Sequence, residues 1–392
     1  MLNFLNALFL LNLITNSTST ALYVLLQIMS VLCINVEEFL QLSATHPVLD
    51  VRSPGEYLHA HIPGAYSLPL FTDEERKIVG TVYTQENKEK AIKLGLQYFG
   101  GKMVTLVEEV EKIVLQYKTP AKEFSDISNA DTSKIVFIHC WRGGMRSAGV
   151  AWLLDLYGFK VVTLIGGYKA YRNWVLKQFE PNYNIRVVSG YTGSGKTKLL
   201  LALKQQGKSI IDLEALASHK GSAFGDLGML PQPSQEMFEN ELSQKLHEIN
   251  KNDDLVFMED ESQRIGLVNI PTVFFKQMET CPILFFDIPF EERLNNIVEE
   301  YGVHKTADLV NAIMRIKKKL GATETKNAIT HLIENNTKEC FRGLLTYYDK
   351  WYLKGLLKRE TQLPSITTIK VSTIDAVKNA KLLIYELTQQ KI

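Results

Sequence analysis

Residues 135–147 read Ile-Val-Phe-Ile-His-Cys-Trp-Arg-Gly-Gly-Met-Arg-Ser. The β-branched start predicts a buried strand that ends at Cys140, and the two glycines predict a tight loop before an apolar helix that begins near Ser147. Backbone N–H groups that turn inward in such a loop, a helix N-terminus and nearby arginine charge all lower the pKa of a thiol. We therefore predict a nucleophilic thiolate at Cys140, with Arg142 and Arg146 beside it, in a loop that also binds an oxyanion.

The composition is that of a globular chain. Of the 392 residues, 45% are hydrophobic and 22% are charged, which excludes a disordered protein, and the length predicts two or more domains. The four cysteines lie far apart, without a C-x-x-C pair. This spacing argues against a zinc site and a disulfide framework, and it favours a reducing compartment, so we predict a cytoplasmic protein.

Charge is unevenly distributed along the chain, although the net charge is only +1. Residues 301–392 carry 16 Lys and Arg against 8 Asp and Glu, net +8, whereas residues 1–300 carry −7. Apolar spacing predicts helices over 307–320, 326–334 and 339–348 in this basic region. The basic residues are Lys317, Lys318, Lys319, Lys354, Lys358 and Arg359. They suggest a nucleic-acid contact surface, and a merely solvated helix face is the alternative.

The first 28 residues differ from the rest of the chain. They contain two apolar runs separated by a Thr/Ser/Asn segment, and no Lys or Arg occurs before Arg52. A secretory signal needs a positive start, and neither run reaches the roughly 18 apolar residues of a membrane span. We predict that Met29 is the true start, that residues 1–28 are a non-native or disordered extension, and that the protein does not contact membranes.

Two further signatures accompany the Cys140 loop. They are Val48-Leu-Asp-Val-Arg-Ser-Pro-Gly-Glu-Tyr57 and His61-Ile-Pro-Gly-Ala65. Together with the loop they resemble the rhodanese family, which implies a parallel-sheet domain over residues 29–176 with its site at the carboxyl ends of the strands. We expect Arg52 and Glu56 to pair with one another, and residues 71–118 to form an insertion with a solvated charged face.

A second loop motif follows at residues 190–197, Gly-Tyr-Thr-Gly-Ser-Gly-Lys-Thr, between a predicted strand over 185–189 and a predicted helix over 198–205. It matches G-x-x-x-x-G-K-S/T in full and is a P-loop, whose backbone N–H groups face a diphosphate. The predicted phosphate-binding residues are Gly190, Gly193, Ser194, Gly195, Lys196 and Thr197. The threonine hydroxyl is also a candidate Mg²⁺ ligand.

Three acidic residues end the next predicted strands and are candidates for Mg²⁺ binding or acid–base catalysis. Asp212 follows residues 209–211, while Glu259 and Asp260 end a strand that resembles a Walker B segment. The sequence does not rank them. We predict a P-loop domain core over 177–300, completed by a mainly helical basic region over 301–392, so that the whole chain is α/β.

The order of these parts resembles one family in particular. A rhodanese loop Cys-Trp-Arg-Gly-Gly-Met-Arg-Ser, joined to a P-loop unit with the runs at 212–225 and 259–266, is similar to tRNA 2-selenouridine synthases. His219, Lys220, Ser222 and Arg264 form a polar cluster. Gly221 and Gly225 favour a loop shaped to approach a ligand, so we predict substrate contacts at His219, Ser222 and Arg264, and a surface loop without a ligand is the alternative.

The resemblance implies a transferase that acts on tRNA. A wobble 2-thiouridine is first S-geranylated with geranyl diphosphate, and selenium from selenophosphate then replaces the thiogeranyl group. It assigns geranyl diphosphate to the P-loop and selenophosphate to Cys140, Arg142 and Arg146, and it implies an enzyme that supplies selenophosphate as a further partner.

Two other functions fit the same motifs. Cys140 to Arg146 satisfies Cys-x5-Arg, the loop of rhodanese-fold phosphatases, so a phosphatase fused to a nucleotide-binding module would hydrolyse phosphoesters without tRNA. Alternatively, the P-loop binds ATP and the rhodanese half carries sulfur for another enzyme, which stoichiometric ATP turnover would reveal. A non-catalytic adaptor fits least, because both loops carry the residues that their chemistry needs.

Overall fold

The computed structural model describes residues 31–117, 134–250, 255–360 and 366–390. The chain divides into a first unit, up to Val175, and a second unit, from Leu176. The predicted extension 1–28 lies outside the described residues. Among the helices of the described ranges, none combines the length and the apolar character that crossing a membrane requires.

The first unit is built on one parallel sheet. Its strands are β1 (Val31–Ile34), β2 (Val48–Asp50), β3 (Tyr66–Ser67), β4 (Ile135–His139) and β5 (Lys160–Leu164). They lie in the order β1-β5-β4-β2-β3. Every residue of β4 is buried, as expected for a central strand covered on both faces. This explains its continuous apolar sequence, and it places Cys140 at the carboxyl edge of the sheet.

Seven helices are described in the ranges that surround this sheet. They are α1 (Val36–Leu42), α2 (Pro54–His59), α3 (Asp73–Gln85), α4 (Lys88–Gly100), α5 (Met103–Gln116), α6 (Met145–Tyr157) and α7 (Gly167–Lys177). The predicted insertion forms α3, α4 and α5. It is more than a solvated decoration, because Phe99, Leu106 and Val110 pack into the same apolar core as Val150 and Leu154 of α6.

The second unit has its own parallel sheet. Its strands are β6 (Ile185–Gly190), β7 (Ser209–Ile211), β8 (Val256–Glu259), β11 (Ile283–Asp287) and β12 (Ile366–Lys370), with β9 (Arg264–Ile265) and β10 (Val268–Asn269) forming a separate small hairpin. The order is β12-β11-β6-β8-β7. The P-loop strand β6 is therefore central, and the acidic ends of β7 and β8 lie on one side of it.

The helices of the second unit are mostly in its C-terminal half. They are α8 (Lys196–Gln205), α9 (Leu213–Ala217), α10 (Gln235–Asn250), α11 (Thr272–Thr280), α12 (Phe290–Tyr301), α13 (Thr306–Leu320), α14 (Ala322–Ile333), α15 (Thr337–Glu360) and α16 (Ala376–Gln390). The prediction that the third helix of the basic region ends near Tyr348 was wrong, since α15 continues to Glu360. Its later turns bring Tyr352 onto the P-loop, a tertiary contact that apolar spacing alone does not reveal.

Candidate functional site

Cys140 lies where β4 gives way to a loop that closes on the α7 N-terminus. The Cys140 carbonyl accepts a hydrogen bond of 2.8 Å from the Tyr168 N–H, and the Trp141 carbonyl accepts one of 2.9 Å from Lys169. Gly167 has a φ of +60°, and a Cβ at this position would lie 2.3 Å from the Cys140 carbonyl oxygen. Only glycine permits this approach. Gly167, which follows the neighbouring parallel strand β5, therefore fixes the Cys140 loop.

The sulfur of Cys140 is buried and surrounded by hydrogen-bond donors. Burial opposes ionisation, but the Ser147 hydroxyl and the backbone N–H groups of Ser147, Arg142 and Gly144 outweigh it and lower the pKa of the thiol. The Sγ–Oγ distance to Ser147 is 3.2 Å. The Ser147 hydroxyl also reaches the Gly144 carbonyl at 3.1 Å, so its one proton serves the sulfur only when the thiolate forms.

The arginines differ from their predicted arrangement. Arg146 Nη1 donates to Glu56 Oε2 at 2.8 Å, and Arg76 Nε of the insertion lies 3.5 Å from the same oxygen. The Arg146 charge is thus balanced by a carboxylate, and the donors at the sulfur are backbone N–H groups and the Ser147 hydroxyl. Arg142 is exposed at the rim of the loop.

The predicted pair between Arg52 and Glu56 was wrong. Arg52 Nη2 binds Asp50 Oδ2 at 2.6 Å, and both side chains are fully buried. Residues two apart in an extended segment point the same way, which brings Asp50 and Arg52 together. Glu56 instead sits in the first turn of α2 and faces the Cys140 loop. The Arg52 guanidinium lies over the Tyr168 ring, 3.8 Å from its centroid.

In the second unit, side chains of α12 hold the P-loop by donating hydrogen bonds to its backbone carbonyl groups. Arg293 Nη1 of α12 donates to the Thr192 carbonyl at 3.1 Å, and Asn296 Nδ2 donates to the Gly193 carbonyl at 3.1 Å. Asn296 in turn accepts a bond of 2.7 Å from Lys198 Nζ. Because these carbonyls are occupied by α12, the loop N–H groups remain available to an anion, as the motif predicts.

Arg293 is itself held by the last long helix. It makes a two-pronged ion pair with Asp349 of α15, with distances of 2.9 and 2.8 Å. One turn further along α15, the Tyr352 hydroxyl donates to Asp260 Oδ2 at 2.7 Å. The Ser189 hydroxyl donates to the same oxygen at 2.7 Å. Two helices from the C-terminal half of the chain therefore set the shape of the P-loop.

The Thr197 hydroxyl lies between two carboxyl groups. Its Oγ1 is 2.7 Å from Glu259 Oε1 and 2.9 Å from Glu214 Oε2. Burial and the neighbouring carboxyl groups of Glu214 and Asp212 raise the pKa of Glu259 well above its usual value. Burial, followed by repulsion from Glu214, raises the pKa of Glu261 to about 8. Glu261 therefore keeps its proton near neutral pH, although the charge of Lys196 opposes this shift.

The three acidic candidates occupy different positions. Glu259 contacts Thr197. Asp212 accepts a bond of 2.8 Å from the Ala215 N–H and caps α9, and burial raises its pKa. Asp260 holds the Ser189 and Tyr352 hydroxyls. Of the three, Glu259 has the position of a Walker B acid beside the P-loop threonine.

A cavity of about 550 Å³ opens from the P-loop. One side is polar and is lined by residues 192–198 with Asp212, Glu214, Asp260 and Glu261. The lining also includes apolar residues of the helical core of the second unit, with Lys220, Ser222 and Glu300 among them. These apolar residues are Phe224, Ile297, Tyr301, Phe341, Leu344 and Leu345. The volume lies in the range of about 300–1,000 Å³ that is typical of small-molecule sites. The cavity suits a ligand with an anionic head and an apolar tail.

The three predicted substrate contacts lie in neighbouring segments, since the His219 ring approaches Gly266, whose carbonyl binds Arg264, but only one of them lines the cavity. Ser222 lines the cavity, and its hydroxyl accepts a bond of 3.1 Å from the Phe224 N–H. His219 is buried, and its Nδ1 accepts a bond of 3.1 Å from the Gly221 N–H. Arg264 is exposed on β9 and donates to the Gly266 carbonyl at 2.9 Å. Neither His219 nor Arg264 is among the residues that line the cavity.

Sequence reasoning missed several residues of this site. Glu214 lies two positions after Asp212, and Glu261 ends the Glu-Asp-Glu run that begins at Glu259. Their closeness to the predicted acids was therefore a signal in the sequence. Arg293 and Tyr352 have no such local signal, because only tertiary packing brings α12 and α15 to the P-loop.

The side chains around Thr197 offer oxygen ligands of the kind that Mg²⁺ prefers. Within the described ranges, no group of three or more His, Cys, Asp and Glu is arranged to hold a metal ion. Mg²⁺ needs less than this, since it is commonly held by one or two carboxylates, water and substrate phosphates. Thr197 supplies a hydroxyl oxygen, and Glu214 and Glu259 supply carboxyl groups whose pKa values are raised, first of all by burial. A cation would relieve this crowding, so the residues fit the ion.

Comparison with known proteins identifies both units. Residues 35–173 match the model of the rhodanese-like domain, and residues 183–371 match that of the tRNA 2-selenouridine synthase AAA domain. A tRNA 2-selenouridine synthase from Bdellovibrio bacteriovorus is 39% identical, over 80% of this chain and 89% of its own length. One from Nitrosomonas europaea is 37% identical (66% and 64%), and one from Sulfurovum sp. is 32% identical (78% and 87%). The chain thus belongs to the tRNA 2-selenouridine synthase family, and it is a tRNA-modifying enzyme of the transferase type.

Proposed function

We propose that this enzyme replaces the sulfur of a wobble 2-thiouridine by selenium in two stages, with one stage at each anion loop. In the second unit, geranyl diphosphate alkylates the sulfur. In the first unit, selenophosphate supplies the selenium that displaces the thiogeranyl group. An enzyme that makes selenophosphate is then a necessary partner, because selenophosphate is consumed in each cycle.

The cavity beside the P-loop supports geranyl diphosphate more than ATP as its ligand. Lys196 and the other P-loop residues line the cavity together with apolar side chains of α12 and α15, a combination that suits the anionic head and the apolar tail of geranyl diphosphate. Phe341, Leu344 and Leu345 are almost fully buried, so an apolar tail would be desolvated there. This amphipathic cavity is the observation that carries the proposal.

In the first stage, the 2-thio sulfur forms a bond to C1 of the geranyl group while the bond from C1 to the diphosphate oxygen breaks. The electron pair of the broken carbon–oxygen bond leaves with diphosphate, and the base loses the proton on its N3 atom. Lys196 and the P-loop N–H groups bind the charge that develops on the leaving group. Thr197, Glu214 and Glu259 would hold Mg²⁺, which when bound adds positive charge to the diphosphate.

In the second stage, selenium bonds to C2 of the base as the bond from C2 to sulfur breaks and geranylthiolate leaves. Water then cleaves the phosphorus–selenium bond, which releases phosphate and leaves selenium on C2. The N–H groups around Cys140 bind the phosphate oxygens, and Arg142 contributes charge at the rim. Arg146 joins it when an anion competes with Glu56 for its guanidinium. Cys140 lies next to the donor, and hydrogen bonds from Ser147 and the loop N–H groups lower the pKa of its thiol despite burial.

The experiment that tests this division of labour uses one substitution in each loop. We expect Cys140→Ala to abolish selenation and to let S-geranylated tRNA accumulate, and Lys196→Ala to suppress both products. Mass spectrometry of wobble nucleosides from cells that carry each variant measures both outcomes. Loss of geranylation in the Cys140→Ala variant would contradict the proposal.

The two alternatives have measurable signatures. A rhodanese-fold phosphatase would hydrolyse a simple phosphoester without tRNA, at a rate that Cys140→Ala abolishes. An ATP-dependent sulfur carrier would consume ATP in proportion to product. Either result with purified enzyme would replace the present assignment.

A further inference from the structure

Cys140 is only 3% exposed, so a base that remains stacked within its RNA cannot bring its C2 atom to the Cys140 loop. Enzymes that modify a base take it out of its stack, and proteins that read single-stranded RNA hold such a base against an aromatic side chain. The residue next to Cys140 is Trp141, which is partly exposed. Neighbouring Cα atoms are about 3.8 Å apart, so the indole and the sulfur can reach the same nucleotide.

The indole of Trp141 has a rigid support. Its ring lies against Tyr168, with centroids 5.8 Å apart. Tyr168 is fully buried, and the Arg52 guanidinium lies 3.8 Å from its ring centroid. Arg52 is fixed by Asp50 and by the Ala60 carbonyl, which accepts a bond of 2.7 Å. The Trp141 backbone is tied to α7 through Lys169. A side chain so supported loses little further freedom when it binds a planar ligand.

We propose that the base of the substrate uridine stacks on the indole of Trp141, which positions its C2 atom over the Cys140 loop. The inference rests on the proposed function in one respect, namely that the uridine enters the Cys140 loop for the selenium stage. Trp141 is a positioning residue, because stacking orients the base and leaves bond making to other groups. Any aromatic ring presents a face for stacking, so phenylalanine is the conservative replacement and leucine the disruptive one.

A thermodynamic cycle between protein and RNA tests the contact directly. Binding of an anticodon stem-loop RNA is measured for the wild type and for Trp141→Leu, with either uridine or an abasic site at the modified position. Loss of one stacked base is worth about tenfold in affinity. We expect the wild type to bind the uridine RNA about tenfold more tightly than the abasic RNA, and Trp141→Leu to bind both RNAs equally.

Two controls separate stacking from folding. Trp152 of α6 is 54% exposed and lies away from the Cys140 loop in sequence, so Trp152→Leu should discriminate the two RNAs as the wild type does. Trp141→Phe should retain most of the discrimination. A misfolded variant would bind both RNAs more weakly and leave the ratio of the two affinities unchanged. This outcome with Trp141→Leu overturns the proposal.

The cycle contains neither selenophosphate nor geranyl diphosphate. Failure of the proposed two-stage chemistry would therefore leave the coupling between Trp141 and the uridine intact. A different result would reject stacking alone. In that case Trp141→Leu distinguishes the uridine RNA from the abasic RNA as well as the wild type does, while Cys140→Ala still accumulates S-geranylated tRNA.

Discussion

At the scale of single residues, the most unusual feature is the group of carboxyls around Thr197. One hydroxyl proton cannot satisfy both Glu214 and Glu259, which lie 2.9 and 2.7 Å from its oxygen. The remaining protons must come from solvent, and the raised pKa of Glu261, about 8, shows the same need. Protons on these carboxyl groups therefore stabilise the arrangement around Thr197, and a bound cation would take their place.

This protonation predicts how stability depends on pH. Between pH 4.5 and about 8, folded Glu261 keeps a proton that the unfolded chain has lost, so stability falls as pH rises through this window. Glutamine cannot ionise, so Glu261→Gln should lose less stability than the wild type between pH 5.5 and 8.5. The difference is on the order of 1 kcal/mol or more, roughly 3 °C in the thermal midpoint.

Thermal unfolding at the two pH values measures this effect for the wild type and Glu261→Gln. Glu299→Gln is the matched control, because Glu299 is exposed on α12 and should behave as the wild type does. The same fall in midpoint for Glu261→Gln and the wild type would mean that Glu261 is already ionised at low pH.

At the scale of elements, α12 and α15 act together as a clamp on the P-loop. Arg293 is only 4% exposed in its side chain and Asp349 is 21% exposed. Asp349→Asn leaves the buried guanidinium without its carboxylate, and we expect this to lower the free energy of unfolding of the second unit by about 3 kcal/mol. Urea unfolding measures the loss.

An exposed ion pair between the same two helices provides the comparison. Arg342 of α15 binds Glu291 of α12, with side chains 35% and 58% exposed. Glu291→Gln should cost no more than about 1 kcal/mol, because exposed pairs are weak. Equal costs for Asp349→Asn and Glu291→Gln would show that burial of Arg293 adds nothing to the clamp.

The same elements show which features of the fold and the site could be predicted from the sequence. The strand before Cys140 and the P-loop, with its flanking strand and helix, were predictable because each depends on residues close together in the chain. The partners of Glu56, Arg293 and Tyr352 were not, since they come from elements 56 to 163 positions away. Local spacing favoured Arg52 as the partner of Glu56, and the fold supplied Arg146.

At the scale of the whole molecule, the basic C-terminal region predicts a salt-dependent contact with tRNA. Lys317, Lys318 and Lys319 are exposed in the last turn of α13. Each phosphate contact contributes about 0.7 to 0.9 to the slope of log affinity against log salt concentration. Replacing the three lysines by alanine should therefore reduce this slope by about 2.

The slope is measured from tRNA binding at a series of salt concentrations. Replacing Lys88, Lys93 and Lys112, which are exposed on α4 and α5, removes the same charge from another part of the chain and serves as the control. An unchanged slope for the α13 variant would place the phosphate contacts elsewhere.

The contacts of α15 with the P-loop also bear on how the chain folds as it leaves the ribosome. The strands of the first unit are complete by Leu164, and this unit can fold early in synthesis. The P-loop, by contrast, emerges long before Asp349 and Tyr352, which fix Arg293 and Asp260 on it. Its binding shape must therefore wait for about 150 further residues, and β12 joins the sheet later still. A truncated nascent chain would carry a finished Cys140 loop and an unfinished P-loop, so the two loops mature one after the other during translation.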